Sequence, residues 1–160
     1  MKNISKSGKR GFTLVEILVV VAILTVIISF GMVTDFSSFT SNTFQSEESK
    51  IISALEKARS RSMANMCISG SCTDGKKHGV CYDSASSKYK IFQTVASDPN
   101  ADKLDASSGI TFPSSPLFPC GSGGIIFDQL SGNTTGTTIN LAYGTKSAVI
   151  TINNEGTISW

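Results

Sequence analysis

The chain has little of what most catalytic sites require. It contains a single histidine, His78, and no cysteine or serine nucleophile motif surrounds it. The sequence shows neither a catalytic pair of acidic residues nor a metal-binding constellation, so we expect neither an enzyme nor a bound cofactor. His78 follows Lys76 and Lys77 in a glycine-flanked segment, and the favoured interpretation is a solvated loop residue.

A large excess of positive charge is also missing. The formal net charge is +2, but four of the 14 Lys and Arg residues lie within residues 1–11, which leaves 10 against 12 Asp and Glu. This balance argues against a general electrostatic interaction with nucleic acid. Two lysine pairs, Lys76 with Lys77 and Lys88 with Lys90, form a small basic surface if a hairpin brings them together. The favoured interpretation of that surface is a solubilising hairpin face.

What the chain does have is one long apolar run near its N-terminus. The run extends from Phe12 to Phe30, and its polar interruptions are Thr13, Glu16, Thr25 and Ser29. Roughly 20 apolar residues span a bilayer as a helix, so the run predicts a membrane anchor. The basic residues before it are Lys2, Lys6, Lys9 and Arg10, and the next one is Lys50. The positive-inside rule therefore predicts a cytoplasmic N-terminus and an exported remainder.

Four cysteines, Cys67, Cys72, Cys81 and Cys120, follow the anchor in the part that this topology exports. Disulfides form and persist in exported proteins, so two bridges are the favoured interpretation. Three pairings are possible for four cysteines. The working hypothesis joins Cys67 to Cys72 in a short loop and leaves Cys81 to pair with Cys120. A structural zinc site is disfavoured because paired Cys-x-x-Cys knuckles are missing.

A short polar segment resembles the start of a calcium-binding loop. Its alternating oxygen-bearing side chains are Asp98, Asn100, Asp102 and Asp105. The match ends quickly, because Lys103 stands where an EF-hand has glycine and Gly109 stands where it has a bidentate glutamate. A solvated acidic loop is therefore favoured, and calcium is kept as a weak alternative.

Hydrophobic periodicity predicts one long helix from about Phe12 to about Met66. Its second half presents one face at intervals of three and four, formed by Ile51, Leu55, Ala58, Ser62 and Met66. Gly31 and the Ser/Thr-rich stretch after it have low helix propensity, so a kink is expected there. Gly70 is the expected stop signal.

Beyond Gly70 the period becomes that of strands. Val80–Asp83 and Tyr89–Val95 flank the polar turn 84–87 and predict a hairpin. A proline-rich middle follows, in which central strands are excluded. Four further strands are expected at 124–127, 137–143, 148–152 and 157–160, in a sheet with one face on the helix.

The junction between leader and anchor resembles a known signal. After Lys9 and Arg10 come Gly11, Phe12, Thr13, Leu14, Val15 and Glu16, a series similar to the class III signal of type IV pilins and type II secretion pseudopilins. Unlike an ordinary secretory signal, the small residue precedes the apolar run. The resemblance implies cleavage between Gly11 and Phe12 by a prepilin peptidase and N-methylation of Phe12. It also implies that Glu16 sets the register of subunits during assembly.

The C-terminal half is similar to GspH/FimT-type minor pilins and pseudopilins in its order of strands and turns, from Ile125 to Ile158. The resemblance implies an α+β pilin fold, in which a long N-terminal helix packs on an antiparallel sheet. It divides the chain into a leader (1–11), a membrane or filament-core helix (12–34), an amphipathic helix (35–69) and a β-rich head (70–160).

Three functions are compatible with these features. The favoured one is a minor pilin or pseudopilin, a structural subunit of a type IV pilus or a type II secretion pseudopilus. Its implied partners are the prepilin peptidase, other subunits and an inner-membrane assembly platform. Its implied location is the inner membrane, as a single-pass protein with an exported head, and then the filament. The alternatives are a DNA-binding minor pilin of a competence pilus and an anchored exported domain that never polymerises.

Overall fold

The structure of the chain is a computed structural model that describes residues 11–67 and 76–160. One helix, α1 (Leu14–Met63), precedes a series of strands, which confirms the predicted α+β class. The strands are β1 (His78–Asp83), β2 (Lys88–Gln93), β3 (Asp102–Asp105), β4 (Ile110–Thr111), β5 (Ile125–Phe127), β6 (Thr137–Tyr143), β7 (Lys146–Ile152) and β8 (Ile158–Ser159). Contacts divide the chain into two compact units, Met1–Phe39 and Thr40–Trp160. The basic leader before Gly11, the predicted stop at Gly70 and Cys72 lie outside the described residues.

Helix α1 continues without interruption through Gly31 and ends earlier than predicted. Its last turn closes with two backbone hydrogen bonds, from Asn65 N–H to the Ser62 carbonyl (3.2 Å) and from Met66 N–H to the Arg61 carbonyl (3.0 Å). Asn65 adopts a left-handed conformation with φ 54°. This pattern is a Schellman motif, in which asparagine takes the place of the more usual glycine. The helix therefore stops at Met63 because of Asn65.

The predicted apolar face of α1 is the face that packs in the core. Ile51, Leu55, Ala58 and Ser62 have no solvent exposure. Met66 was expected to extend this face, but it lies beyond the end of the helix and is 49% exposed. The periodic signal was therefore correct up to the last helical turn and wrong after it, because a helical period has no meaning once the chain has left the helix.

The first sheet has the strand order β3-β2-β1-β5, and all its pairs are antiparallel. The predicted hairpin is confirmed: β1 pairs with β2 across the turn 84–87, with Asp83 opposite Lys88. The interpretation of His78 as a solvated loop residue was wrong. It is the first residue of β1, pairs with both Gln93 and Phe127, and has no exposed surface.

The second sheet has the order β4-β6-β7-β8 and is also antiparallel. A single sheet was expected, and two were found, because β5 returns across the proline-rich segment to pair with β1. That segment also contains β3 and β4, which were not predicted. Both are edge strands, which agrees with the exclusion of proline-rich sequence from the centre of a sheet.

One hydrophobic core joins the three parts of the head. It contains Leu55 from α1, Ile91 from the first sheet and Ile150 from the second, together with an aromatic group from the strands and loops. That group is formed by Tyr82, Tyr89, Phe112 and Phe118, with ring centroids 4.7 to 6.2 Å apart. The second half of α1 is thus held by burial against both sheets.

Candidate functional site

The candidate site is the N-terminal junction, where the extended chain enters α1. Gly11, Phe12 and Thr13 are exposed and precede the first helical residue. The Glu16 N–H donates to the Thr13 hydroxyl (3.2 Å), so Thr13 is the N-cap of the helix. Glu16 then occupies the third helical position, which is the spacing of a capping box. The sequence therefore places one carboxylate at the positive end of the helix dipole, where negative charge is favourable.

The helix that follows this junction is suited to a membrane. Leu14–Gly31 is long and apolar enough to cross one, and within the described part of the chain it is the one such segment. Its hydroxyls are satisfied inside the helix, because Thr25 donates to the Ala22 carbonyl and Ser29 to the Thr25 carbonyl, both at 2.8 Å. Glu16 is the sole ionisable residue of the span.

The same helix presents a large exposed apolar surface over Leu14 to Phe30. Its Leu, Val, Ile and Phe side chains from Leu14 to Phe30 are 48 to 80% exposed. Isolated soluble proteins rarely expose a contiguous apolar surface of this kind. Such a surface is suited to contact with lipid or with apolar surfaces of other molecules.

Cys81 and Cys120 form a disulfide that joins β1 to the short 3-10 turn after the proline-rich segment. It closes a loop with a sequence separation of 39 residues. Cys67 lies just beyond the Schellman motif, and its predicted partner Cys72 is outside the described residues. The pairing of Cys67 with Cys72 stays a prediction.

The two lysine pairs that were considered for nucleic acid are separated by the hairpin. Lys76 and Lys77 precede β1, whereas Lys88 and Lys90 lie at the start of the antiparallel strand β2. From the register, Lys77 is four to six residue positions from the other pair, or about 13 to 20 Å along the strands. The hairpin therefore does not bring the four lysines into one basic surface.

Three of these lysines are also bound to carboxylates. The pairs are Lys77 with Asp128 (2.6 Å), Lys88 with Asp105 (2.9 Å) and Lys90 with Asp83 (2.7 Å). Hydrogen bonds from Lys90 and Ser86 lower the pKa of Asp83 to about 2. Each of these three positive charges thus has a negative neighbour, which makes the three lysines less suited to phosphate binding.

The carboxylates of the three acidic calcium candidates have other partners. Asp98 accepts the backbone N–H groups of Gln93 (3.2 Å) and Asn100 (2.9 Å). Asp102 binds Lys57 (3.0 Å) and Arg61 (2.7 Å), and Asp105 binds a lysine of β2. Within residues 11–67 and 76–160, no group of three His, Cys, Asp or Glu side chains is arranged to hold a metal ion. The structure therefore does not unite these oxygens in a calcium loop.

Asp102 instead connects α1 to β3, a role that the sequence did not reveal. Burial acts to raise the pKa of its carboxyl, but hydrogen bonds from Lys57 and Arg61 outweigh it, and the pKa is lowered. The pKa of Asp105 is also lowered, chiefly by its hydrogen bond with Lys88. Both carboxylates are thus stabilised in their charged form by neighbouring cations.

A buried carboxylate, Glu47, was also missed. It has no exposed surface and accepts hydrogen bonds from Lys50 (2.6 Å), Tyr89 (2.8 Å) and Ser107 (2.8 Å). Burial acts to raise its pKa, yet these hydrogen bonds outweigh it and the pKa is lowered. One signal was present in the sequence: Glu47 lies four residues before Ile51, on the apolar face of α1.

Comparison with known proteins supports the interpretation of the junction. Residues 6–32 match the family described as the prokaryotic N-terminal methylation motif, which confirms the resemblance of this segment to type IV pilin-like proteins. No curated protein matches the chain. Among solved structures, the minor pseudopilin EpsH from the Type 2 Secretion System of Vibrio cholerae is similar at 14% identity with a TM-score of 0.47. That likeness covers 72% of this chain and 94% of the other.

Proposed function

We propose that the chain is a minor pilin or pseudopilin, a structural subunit of a type IV pilus or type II secretion pseudopilus rather than an enzyme. The observation that carries the proposal is the match of residues 6–32 to the prokaryotic N-terminal methylation motif. The same residues include the exposed junction and most of the uncovered apolar helix. A processing site and an apolar assembly surface are thus adjacent in one segment.

Cleavage between Gly11 and Phe12 by a prepilin peptidase fits the local geometry. The bond between them lies in exposed, non-helical chain just before the N-cap, so a peptidase can reach it without unwinding α1. Apart from the neighbouring residues in the chain, no atom of the described residues lies within 4 Å of the position that a β-carbon of Gly11 would take. The chain itself therefore does not need glycine there, whereas a narrow peptidase site does. Methylation of the new N-terminus at Phe12 follows from the same motif.

The proposed location is the inner membrane, with a cytoplasmic N-terminus and an exported head. Leu14–Gly31 supplies the membrane span, and the basic leader supplies the orientation. An assembly platform in that membrane then transfers the subunit into the filament, where apolar surfaces of other subunits replace lipid. Each subunit keeps its apolar helix covered throughout.

Glu16 sets the register of the proposed assembly. An ionised carboxylate in an apolar environment is costly unless a cation pairs with it. Cleavage creates a cation, the amino group of Phe12, which a neighbouring subunit presents at the level of its own helix start. A subunit that slides out of register leaves Glu16 without this partner and is therefore disfavoured.

The first test is the mass of the mature N-terminus. We expect a chain that begins with methylated Phe12, and a chain that retains Met1 contradicts the proposal. The variant Gly11→Val should stay uncut although the structure has room for its side chain. Gly31→Val is the matched control, since Gly31 also has open space around it, and it should be cut normally.

The second test separates processing from assembly. Glu16→Ala should be cleaved but absent from sheared filaments, because it lacks the carboxylate that fixes the register. Glu56→Ala is the matched control, an exposed carboxylate on the same helix, and it should assemble normally. Incorporation of Glu16→Ala at the level of the unmodified chain would show that the carboxylate does not set the register.

A further inference from the structure

The end of α1 is attached to the first sheet through His78 and Ser62. The His78 backbone N–H donates to the Ser62 hydroxyl (2.9 Å), which itself donates to the Phe127 carbonyl (3.0 Å). Both His78 and Ser62 have no exposed surface. One helical residue thus connects to β1 and β5 at once, and the imidazole lies inside this junction.

The imidazole of His78 is fully buried, and its two ring nitrogens are not hydrogen-bonded within the described residues. Its partners across the sheet, Gln93 and Phe127, are uncharged, and the charged groups that act on it are Arg61 of α1 and Asp98 after β2. Burial lowers the pKa of His78, and the positive charge of Arg61 lowers it further; the Lys76 backbone and Asp98 act in the opposite direction without offsetting them. The neutral ring is therefore the form that fits.

We propose that His78 is an acid-sensitive latch, whose protonation in mildly acidic surroundings releases the end of α1 from β1 and β5. A protonated ring has two N–H donors and a positive charge. In the closed junction neither ring nitrogen has a hydrogen-bond partner among the described residues, and burial and the guanidinium of Arg61 outweigh the opposing effect of the Lys76 backbone and Asp98. The charged ring is accommodated only when the junction opens and water reaches it. Opening at this point breaks the two hydrogen bonds of the Ser62 hydroxyl.

The sign of the effect follows from proton linkage. In the open state His78 titrates near its ordinary value of 6.5, whereas in the closed state it takes a proton only at lower pH. Stability is thus complete above pH 6.5 and falls as the pH drops below it. One extra proton in the open state raises the opening constant by up to about tenfold per pH unit. His78 is the single histidine, and four carboxylates that bind lysine or arginine have lowered pKa values and stay charged in this range: Glu47, Asp83, Asp102 and Asp105.

The direct experiment is urea unfolding of the full chain in detergent micelles at pH 7.5 and pH 5.5, followed by near-ultraviolet circular dichroism of the aromatic group. We expect the unfolding constant of the unmodified chain to rise at the lower pH, by up to about tenfold. In His78→Gln the ratio between the two pH values should be close to one. An equal pH dependence in both proteins overturns the proposal.

A second measurement does not depend on the variant. Because the chain has one histidine, the titrating imidazole resonances of the unmodified protein all belong to His78. A midpoint below 6.5 supports the latch, and a midpoint at or above 6.5 overturns it. Hydrogen exchange, corrected for its intrinsic pH dependence, then locates the opening. Faster exchange at pH 5.5 confined to the end of α1 and β1 is expected, whereas a uniform change across β6 and β7 refutes local release.

Discussion

The hydrogen bond between Tyr89 and Glu47 is the interaction whose removal should be most informative about the head. It joins β2 to the buried side of α1 at 2.8 Å, and neither side chain has any exposed surface. The substitution Tyr89→Phe removes one oxygen and leaves the ring in the aromatic group. Burial, followed by the hydrogen bond to Glu47, raises the pKa of Tyr89, so the hydroxyl stays a donor at every relevant pH.

Tyr89→Phe should lower the free energy of unfolding by the contribution of one hydrogen bond to a charged, desolvated acceptor. Such bonds contribute about 1.5 to 3 kcal/mol, compared with about 1 kcal/mol for a neutral pair. Glu47 keeps two other donors, Lys50 and Ser107, so its carboxylate is not left alone and we expect a value near 2 kcal/mol. The folded pKa of Glu47 is lowered below 4.5, so this stabilisation is present above pH 4.5 and is lost as the pH falls through the folded pKa.

Urea unfolding at pH 7.5 measures the cost, and a double-mutant cycle with Glu47→Gln measures the coupling. Tyr82→Phe is the matched control, because Tyr82 belongs to the same aromatic group but is only partly buried. It should cost less than about 0.5 kcal/mol. If Tyr89→Phe costs no more than this control, the buried carboxylate does not hold α1 on β2.

Two further predictions concern covalent and steric restraints in the head. Replacing both Cys81 and Cys120 with Ala opens a loop of 39 residues, and the loss of unfolded-state restraint should lower the free energy of unfolding by about 4 kcal/mol in urea titrations. A loss below about 1 kcal/mol would show that the disulfide does not stabilise the head by restraining the unfolded chain. A β-carbon at Gly79 would lie 2.5 Å from the Phe92 ring, so Gly79→Ala should cost about 1 to 3 kcal/mol in thermal unfolding. Gly121→Ala, which has open space, should change the midpoint little, and equal effects at the two glycines would refute the clash.

The elements that the sequence predicted well are those fixed by local patterns. The buried face of α1 followed from helical spacing, and the hairpin of β1 and β2 followed from two apolar runs around a polar turn. The resemblance of the N-terminal segment to the methylation motif was predicted because its residues are adjacent in the chain. In each case the physical cause lies within a few residues of the signal.

The elements that the sequence did not predict depend on distant partners. Ser62 was assigned to an apolar face, and its hydroxyl acquires its role only from strands 16 and 65 positions away. His78 has a loop-like neighbourhood of lysines and glycines, but pairing with Phe127 places it inside the sheet. Asp102 resembled a calcium ligand because the sequence alone did not show that Lys57 and Arg61 face it from α1. The roles of Ser62, His78 and Asp102 thus all depend on partners that are distant in the sequence.

The intrahelical hydrogen bonds of Thr25 and Ser29 affect how specifically the apolar part of α1 can be positioned against its surroundings. Since each hydroxyl already donates a hydrogen bond within α1, neither needs an acceptor in a neighbouring molecule. If the helix slides along its axis by one turn, about 5.4 Å, it exchanges apolar contacts for equivalent ones. Positions that differ in depth or rotation along this stretch therefore have nearly the same energy. In a filament of the proposed kind, two roles are therefore carried by different parts of the helix. The long apolar surface supplies the affinity between subunits, and one carboxylate at its end fixes the position of each subunit.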